Sequence, residues 1–240
     1  MRIALPGRTL SWFCAAAVLG ACSHERISES AIPRPEPPPA DRIATDEIAT
    51  SMDTYYLSAC AQCGGLLGTR GDAPEVVHNV RRYRVCSSAC AAAFNLAPEA
   101  CVERVNAIMI ADQRPYYPLA VSLVSGRPLG PHPVEFVWGN RLFRASDPAE
   151  RDLILSDPVR YVRQLNRAVL AAQSSSYGMP DKCPVQGDIL PSDVPIDIVV
   201  ANRMVRVCCG RCARVVRARP YQYLGMVEYA NKHRSDAQPP

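Results

Sequence analysis

The chain has 240 residues, 27 basic against 23 acidic side chains, a formal charge of +4, and 48% hydrophobic residues. So small a basic excess excludes an electrostatic nucleic-acid footprint. Lys182 and Lys232 are the only lysines, so the excess is arginine, which fits a GC-rich coding sequence and also suits phosphate or carboxylate recognition. Eleven cysteines are the unusual feature, and any function has to account for them.

At the N-terminus, Arg2 and Arg8 accompany an apolar or small stretch from Leu10 to Ala21. A bilayer span needs ~20 such residues, so this stretch fits the apolar core of an export signal instead. It ends Leu19-Gly20-Ala21-Cys22. The arrangement resembles the bacterial lipoprotein signal. That resemblance implies removal of residues 1–21, lipidation of Cys22 and a stable anchor of more than one acyl chain. Loss of Arg2 and Arg8 lowers the formal charge from +4 to +2. Ser23 after the cysteine resembles outer-membrane sorting, for a Gram-negative host. Residues 22–55 are polar and contain Pro33-Arg34-Pro35-Glu36-Pro37-Pro38-Pro39, which reads as a disordered, semi-rigid tether. No other apolar run is long enough to span a membrane.

Beyond the tether the sequence repeats with a period of about 61 residues. Pro133 to Arg144 aligns with Pro195 to Arg206 without a gap. Ser125 to Leu129 matches Gln186 to Leu190, and Asp157 to Val162 matches Arg219 to Leu224. The first unit carries the same landmarks: Cys63 to Leu67, Val76 to Val85, and Ala97 to Val102. Pro133 to Trp138 is β-branched and aromatic, Gly139-Asn140 is a turn pair, and Leu142 to Arg144 is the returning strand. Ala201-Asn202 takes that turn in the third unit. Pro220 introduces a helical segment to Tyr229, with Tyr223, Met226 and Val227 on one face. The expectation is an α+β chain of three tandem small ββα modules, at 56–112, 113–173 and 174–230, with a disordered tail at 231–240. Cores of this size normally need a metal or disulfide staple.

Of the eleven cysteines, Cys14 lies in the signal and Cys22 is the lipid site. In unit one, Cys60 and Cys63 precede the hairpin, and Cys86 and Cys90 follow it. In unit three, Cys183 precedes and Cys208, Cys209 and Cys212 follow. Alignment pairs Cys60 with Cys183, Cys86 with Cys208 and Cys90 with Cys212, while Gln186 replaces Cys63. A cysteine knuckle before a hairpin and a thiol pair at a helix mouth suit a tetrahedral metal.

Cys183-Pro184-Val185-Gln186-Gly187, Val205 to Cys212 and Pro220 to Leu224 together resemble the TRASH/YHS group, and unit one does so through Cys60, Cys63, Cys86, Cys90 and Phe94. The resemblance implies small treble-clef-like, zinc-finger-like modules linked to heavy-metal sensing, trafficking and resistance. It also implies a site of one pre-hairpin cysteine plus the CxxxC pair. Unit two departs, with Ser122, Ser125, Ser146 and Glu150 at the four ligand positions, and reads as a degenerate, metal-free module that holds its fold through its core.

Two readings of the thiols stand side by side. Unit one offers four thiolates for zinc or copper(I), and unit three offers three, which suits copper(I) or leaves an open position. Cys209 is a further candidate there, awkward beside Cys208. In an oxidising compartment the same cysteines would pair as disulfides, Cys60–Cys86 and Cys63–Cys90 or the crossed pairs. Cys101 aligns with Tyr161 and Tyr223 and reads as a buried filler. His24, His78, His132 and His233 form no cluster in sequence, and Arg70-Gly71-Asp72 reads as chance. Cys60-Ala61-Gln62-Cys63 is followed by a Gly-Gly loop rather than the helix of a redox CxxC. No catalytic set stands out, and no catalysis is expected. The leading expectation is an envelope lipoprotein that binds zinc or copper for trafficking, sensing or resistance. The alternative is a metal-free, disulfide-stapled scaffold that contacts an envelope protein.

Overall fold

The structure is a computed structural model and describes residues 54–69, 73–179, 181–190 and 195–233. The signal, Cys22, almost all of the tether, Arg70-Gly71-Asp72 and the end of the tail lie outside the described residues. Tyr55, assigned above to the tether, is only 1% exposed, so the folded region starts before residue 56. Asn231 and Lys232, assigned to the tail, belong to the last helix.

Six strands pair as three antiparallel hairpins: β1 (Glu75–His78) with β2 (Arg81–Arg84), β3 (Val134–Trp138) with β4 (Arg141–Ala145), and β5 (Ile196–Val200) with β6 (Arg203–Val207). The register repeats, with Val76 opposite Tyr83, Phe136 opposite Phe143, and Ile198 opposite Val205. Each turn is a residue pair at positive φ: Asn79-Val80, Gly139-Asn140 and Ala201-Asn202. Two left-handed residues give the type I′ geometry that matches strand twist. Val80 holds φ 59° against the preference of a β-branched side chain.

Each hairpin is followed by two helices, not the single helical segment expected. They are α1 (Ser88–Leu96) and α2 (Pro98–Gln113), α3 (Pro148–Ser156) and α4 (Pro158–Gln173), α5 (Gly210–Ala218) and α6 (Pro220–Lys232). The break falls at Ala97, Asp157 and Arg219, each with φ near −140° and ψ near 60°. Proline disfavours the α conformation in the residue before it and is itself at home at the first helical position, so each proline ends one helix and starts the next. Of the first helices only α3 starts at a proline, Pro148; α1 and α5 have none to announce them. In α6, Tyr223, Leu224 and Val227 are buried but Met226 is 44% exposed, so the apolar face runs through Leu224 rather than Met226.

The element order recurs three times, yet the repeats are not three tandem zinc-finger modules, each with a core of its own. The long helix of one repeat packs on the next hairpin: α2 on β3 and β4, α4 on β5 and β6. One apolar core joins the first and third repeats, holding Tyr83, Phe94 and Val105 with Ile198, Val216 and Val227. A second, around Phe143, Ile154 and Leu165, takes in Val199 of the third repeat. The physical reason is size: units of about 60 residues bury too little alone, and sharing faces raises the buried fraction.

Buried polar side chains fix the seams. Gln113, fully buried, donates to the Asn140 carbonyl (3.0 Å) and the Tyr56 hydroxyl, and accepts from Leu142 N (2.9 Å). Gln173 repeats this clamp on Asn202 O (2.9 Å) and Met204 N (2.8 Å). The arginine after each turn, Arg81, Arg141 or Arg203, is buried and reaches its own long helix at Asn106, Asn166 or Glu228. Each also reaches a neighbour: Arg81 donates to Asn140, Arg141 to Val199 O, and Arg203 to Asp112 (2.8 Å). The last contact joins the third repeat back to the first, so each repeat touches both others. Among the described residues, no helix is long and apolar enough to cross a membrane.

Candidate metal centre

Three small knuckles precede the three hairpins. In the first, Cys60 N donates to Gly65 O (2.7 Å) and Gly64 N to Cys60 O (2.9 Å). Gly64, Gly126 and Gly187 take the same left-handed place, with φ 73°, 69° and 76°. These turns aim the side chains of Cys60, Ser122 and Cys183 inward, where all three are buried. The residue three positions before the helical CxxxC partner sits at the N-cap, so Cys90, Glu150 and Cys212 each occupy the third helical position. Free N–H groups and the helix dipole favour negative charge there.

In the first repeat the sulfurs of Cys60, Cys63, Cys86 and Cys90 all lie within 4.8 Å of one another. Cys63 and Cys86 are 3.6 Å apart, and Cys86 and Cys90 3.5 Å. A tetrahedron with ~2.3 Å Zn–S bonds has edges of ~3.8 Å, whereas a disulfide brings sulfurs to about 2.05 Å. The spacing is close to that of ligands around a cation and far from that of a bonded pair. Cys60 Sγ accepts from Cys86 N (3.3 Å) and Cys63 N (3.5 Å). Burial works against its ionisation, but these N–H groups and that of Gln62 outweigh it and bring the thiol down to about 7. Cys86, hydrogen-bonded to the Cys90 and Cys63 thiols, is pushed up to about 12. Without a cation only a fraction of the cluster can ionise; a bound metal would draw the remaining protons off.

In the third repeat, Cys183, Cys208 and Cys212 form a trio of the same kind. Cys208 and Cys212 are 3.5 Å apart. Burial raises Cys183, but N–H groups of Cys208, Gln186 and Val185 lower it overall. Gln186, in the place of Cys63, accepts from the Cys208 thiol at 3.3 Å. Cys209 is not a member of the mutually close trio, although its sulfur is 3.7 Å from that of Cys208. It occupies the α5 N-cap. All nine described cysteines are free thiols.

The second repeat fills the same position without sulfur, and not through its apolar core alone as expected from sequence. Glu150 Oε2 accepts from Ser122 Oγ (2.6 Å) and Ser146 N (2.8 Å), and Oε1 accepts from Arg127 (3.3 Å). Burial raises the carboxyl, but Ser122, Ser125, Ser146 and Arg127 more than offset it and hold it at about 2. A permanent carboxylate thus ties knuckle, strand end and helix mouth together. The clue in the sequence was Asp147-Pro148-Ala149-Glu150, a capping-box spacing; Arg127 had no local signal.

Cys101 is buried with Val105 and Met109, and its thiol donates to Gln62 Oε1 (2.6 Å) beside the first cluster. His78 bonds its neighbour Asn79 and lies 3.8 Å from Glu99, outside both sulfur clusters. The cysteine clusters could therefore hold metal ions, four sulfurs in one and three in the other. Compared with protein-family models, curated proteins and solved structures, the chain matches none.

Proposed function

We propose that this chain is a lipid-anchored protein of the cell envelope that binds a thiophilic metal ion, zinc or copper(I), for trafficking, sensing or resistance. The observation that carries the reading is the four-sulfur cluster of the first repeat, with 3.5–3.6 Å between neighbouring sulfurs. Four thiolates suit zinc, and a thiolate-only set also suits copper(I). The three-sulfur cluster, with a glutamine in the fourth position, suits copper(I) or an ion in transit. Knuckle, hairpin and helix mouth in the first and third repeats support their kinship with TRASH/YHS modules, here packed into a shared body. The anchor rests on Leu19-Gly20-Ala21-Cys22. Nothing in the reading assigns catalysis.

The test is metal content and free-thiol count of the full chain, purified without chelator. One to two equivalents of zinc or copper are expected, with the first-repeat equivalent lost in the Cys86→Ser, Cys90→Ser double variant. A metal-free protein with few free thiols would overturn the proposal. That outcome would favour the second reading, a disulfide-stapled scaffold for an envelope partner, which has one observation behind it: the middle repeat keeps the same geometry with no thiol at all.

A further inference from the structure

We propose that Cys209 and Cys212 form a dithiol that exchanges with an external disulfide, and that closing it empties the sulfur site of the third repeat. The second half of this proposal rests on the metal reading above.

The clue is at the three N-caps. Ser87, Asp147 and Cys209 have the same extended backbone, with φ/ψ of −162°/165°, −153°/171° and −161°/167°. Ser87 Oγ accepts from Cys90 N (3.2 Å), and Asp147 Oδ1 accepts from Glu150 N (2.9 Å). Oxygen side chains are the preferred caps. The third repeat puts a sulfur at this position, and does so only where the knuckle has lost its second cysteine to Gln186. The third repeat thus carries its fourth sulfur at the helix cap instead of in the knuckle. There it lies outside the ligand trio but within 3.7 Å of one ligand sulfur, Cys208.

Accessibility sets the order of events. Cys183 and Cys212 are buried, whereas Cys208 and Cys209 are half-exposed, so an external disulfide meets the outer pair first. Positions three apart on a helix have Cα atoms on the order of 5 Å apart, inside the 4.4–6.8 Å window of disulfides. Cys209-Gly210-Arg211-Cys212 meets that condition, while Cys208 and Cys209 are adjacent in the chain and would close a strained ring. The Cys209 thiolate attacks one sulfur of RS–SR, forming a mixed disulfide and releasing RS⁻. The Cys212 sulfur then attacks Cys209 Sγ, closing Cys209–Cys212 and releasing the second RS⁻. Two electrons pass from the two cysteines to the external disulfide, and the protons carried by the thiols leave with the products. Cys212 ceases to be a ligand, and two sulfurs remain. The first repeat has Ser87 at the cap, and its one cysteine outside the cluster, Cys101, is buried, so it is the internal control.

The experiment uses the reduced full chain loaded with zinc and then exposed to oxidised glutathione. Zinc release is followed with a chromogenic chelator, and disulfides are mapped by peptide mass spectrometry. Wild type is expected to release the third-repeat equivalent and retain the first, with Cys209 joined to Cys212. Cys209→Ser restores the cap oxygen seen at Ser87, so it should bind as much zinc and release it roughly tenfold more slowly. Release at the wild-type rate, or a third-repeat disulfide that omits Cys209, overturns the proposal. If neither protein loads zinc, the metal reading and the release step fall together. The disulfide map still decides the exchange: a Cys209–Cys212 bond upholds it and any other pairing rejects it.

Discussion

Glu150 stands where the other repeats have a cysteine, and it shows what that position requires: a negative charge at a helix mouth that gathers N–H and hydroxyl donors from the knuckle and the strand end. Because its folded pKa is about 2, below the ordinary carboxyl value of ~4.3, its contribution is complete above that ordinary value. It fades as pH falls toward 2. Glu150→Ala would leave the Ser122 hydroxyl and the Ser146 N–H unsatisfied, at a cost of about 1–3 kcal/mol near pH 7. In urea unfolding the gap between wild type and Glu150→Gln should shrink steadily from pH 5 to pH 3; a gap independent of pH would refute the charged clamp. The two cysteine groups themselves were legible in the sequence, since CxxC, CxxxC and the 61-residue alignment name every sulfur that comes together. The replacement chemistry was not, because Ser122, Arg127 and Glu150 are far apart in the chain and become a unit only when knuckle and helix meet.

Among the elements, the hairpins were the most legible, since Gly139-Asn140 and Ala201-Asn202 fall between β-branched runs in a constant register. The paired helices were not. α1, α3 and α5 are short and begin at caps of three different chemistries, Ser87, Asp147 and Cys209, so no common signal marks them. Nor were the seams, because a glutamine in a helix carries no mark of what it will clamp. Gln113 completes two backbone groups of the next hairpin and bonds the Tyr56 hydroxyl. Gln113→Ala is expected to cost about 3 kcal/mol, combining orphaned buried groups with a cavity. Gln113→Glu, of equal volume, should recover little, because a carboxylate has no N–H to donate. Chemical denaturation of both variants tests this, and near-wild-type stability of Gln113→Glu would show that the clamp is packing rather than hydrogen bonding. Gly178 marks a further contact the sequence hid: a Cβ there would run into the backbone of Ala230 and Asn231, and its N–H donates to Asn231 (2.6 Å).

At the scale of the molecule, shared cores and buried seams join the three repeats into one packed body rather than a string of modules. Arg203 sits between Asp112 of the first repeat and Glu228 of the third, 3.9 Å from the Tyr116 ring centroid. Arg203→Met would leave two carboxylates facing each other with no cation between them. A loss of about 2–3 kcal/mol is expected, less than for a fully buried pair because both carboxylates are partly solvated. Unfolding followed by fluorescence and by circular dichroism should remain a single coincident transition in wild type and variant; resolved steps would mean that the repeats fold separately. The closure of the third repeat on the first has a topological consequence. Tyr56, two residues into the described fold, and Glu228, one turn from the end of α6, line the same small cavity with Arg203. Entry and exit of the described fold therefore meet at one seam. A circular permutant joined across that seam and opened between α2 and β3 would thread the same three units in a new order and keep every contact described here except those of the severed link.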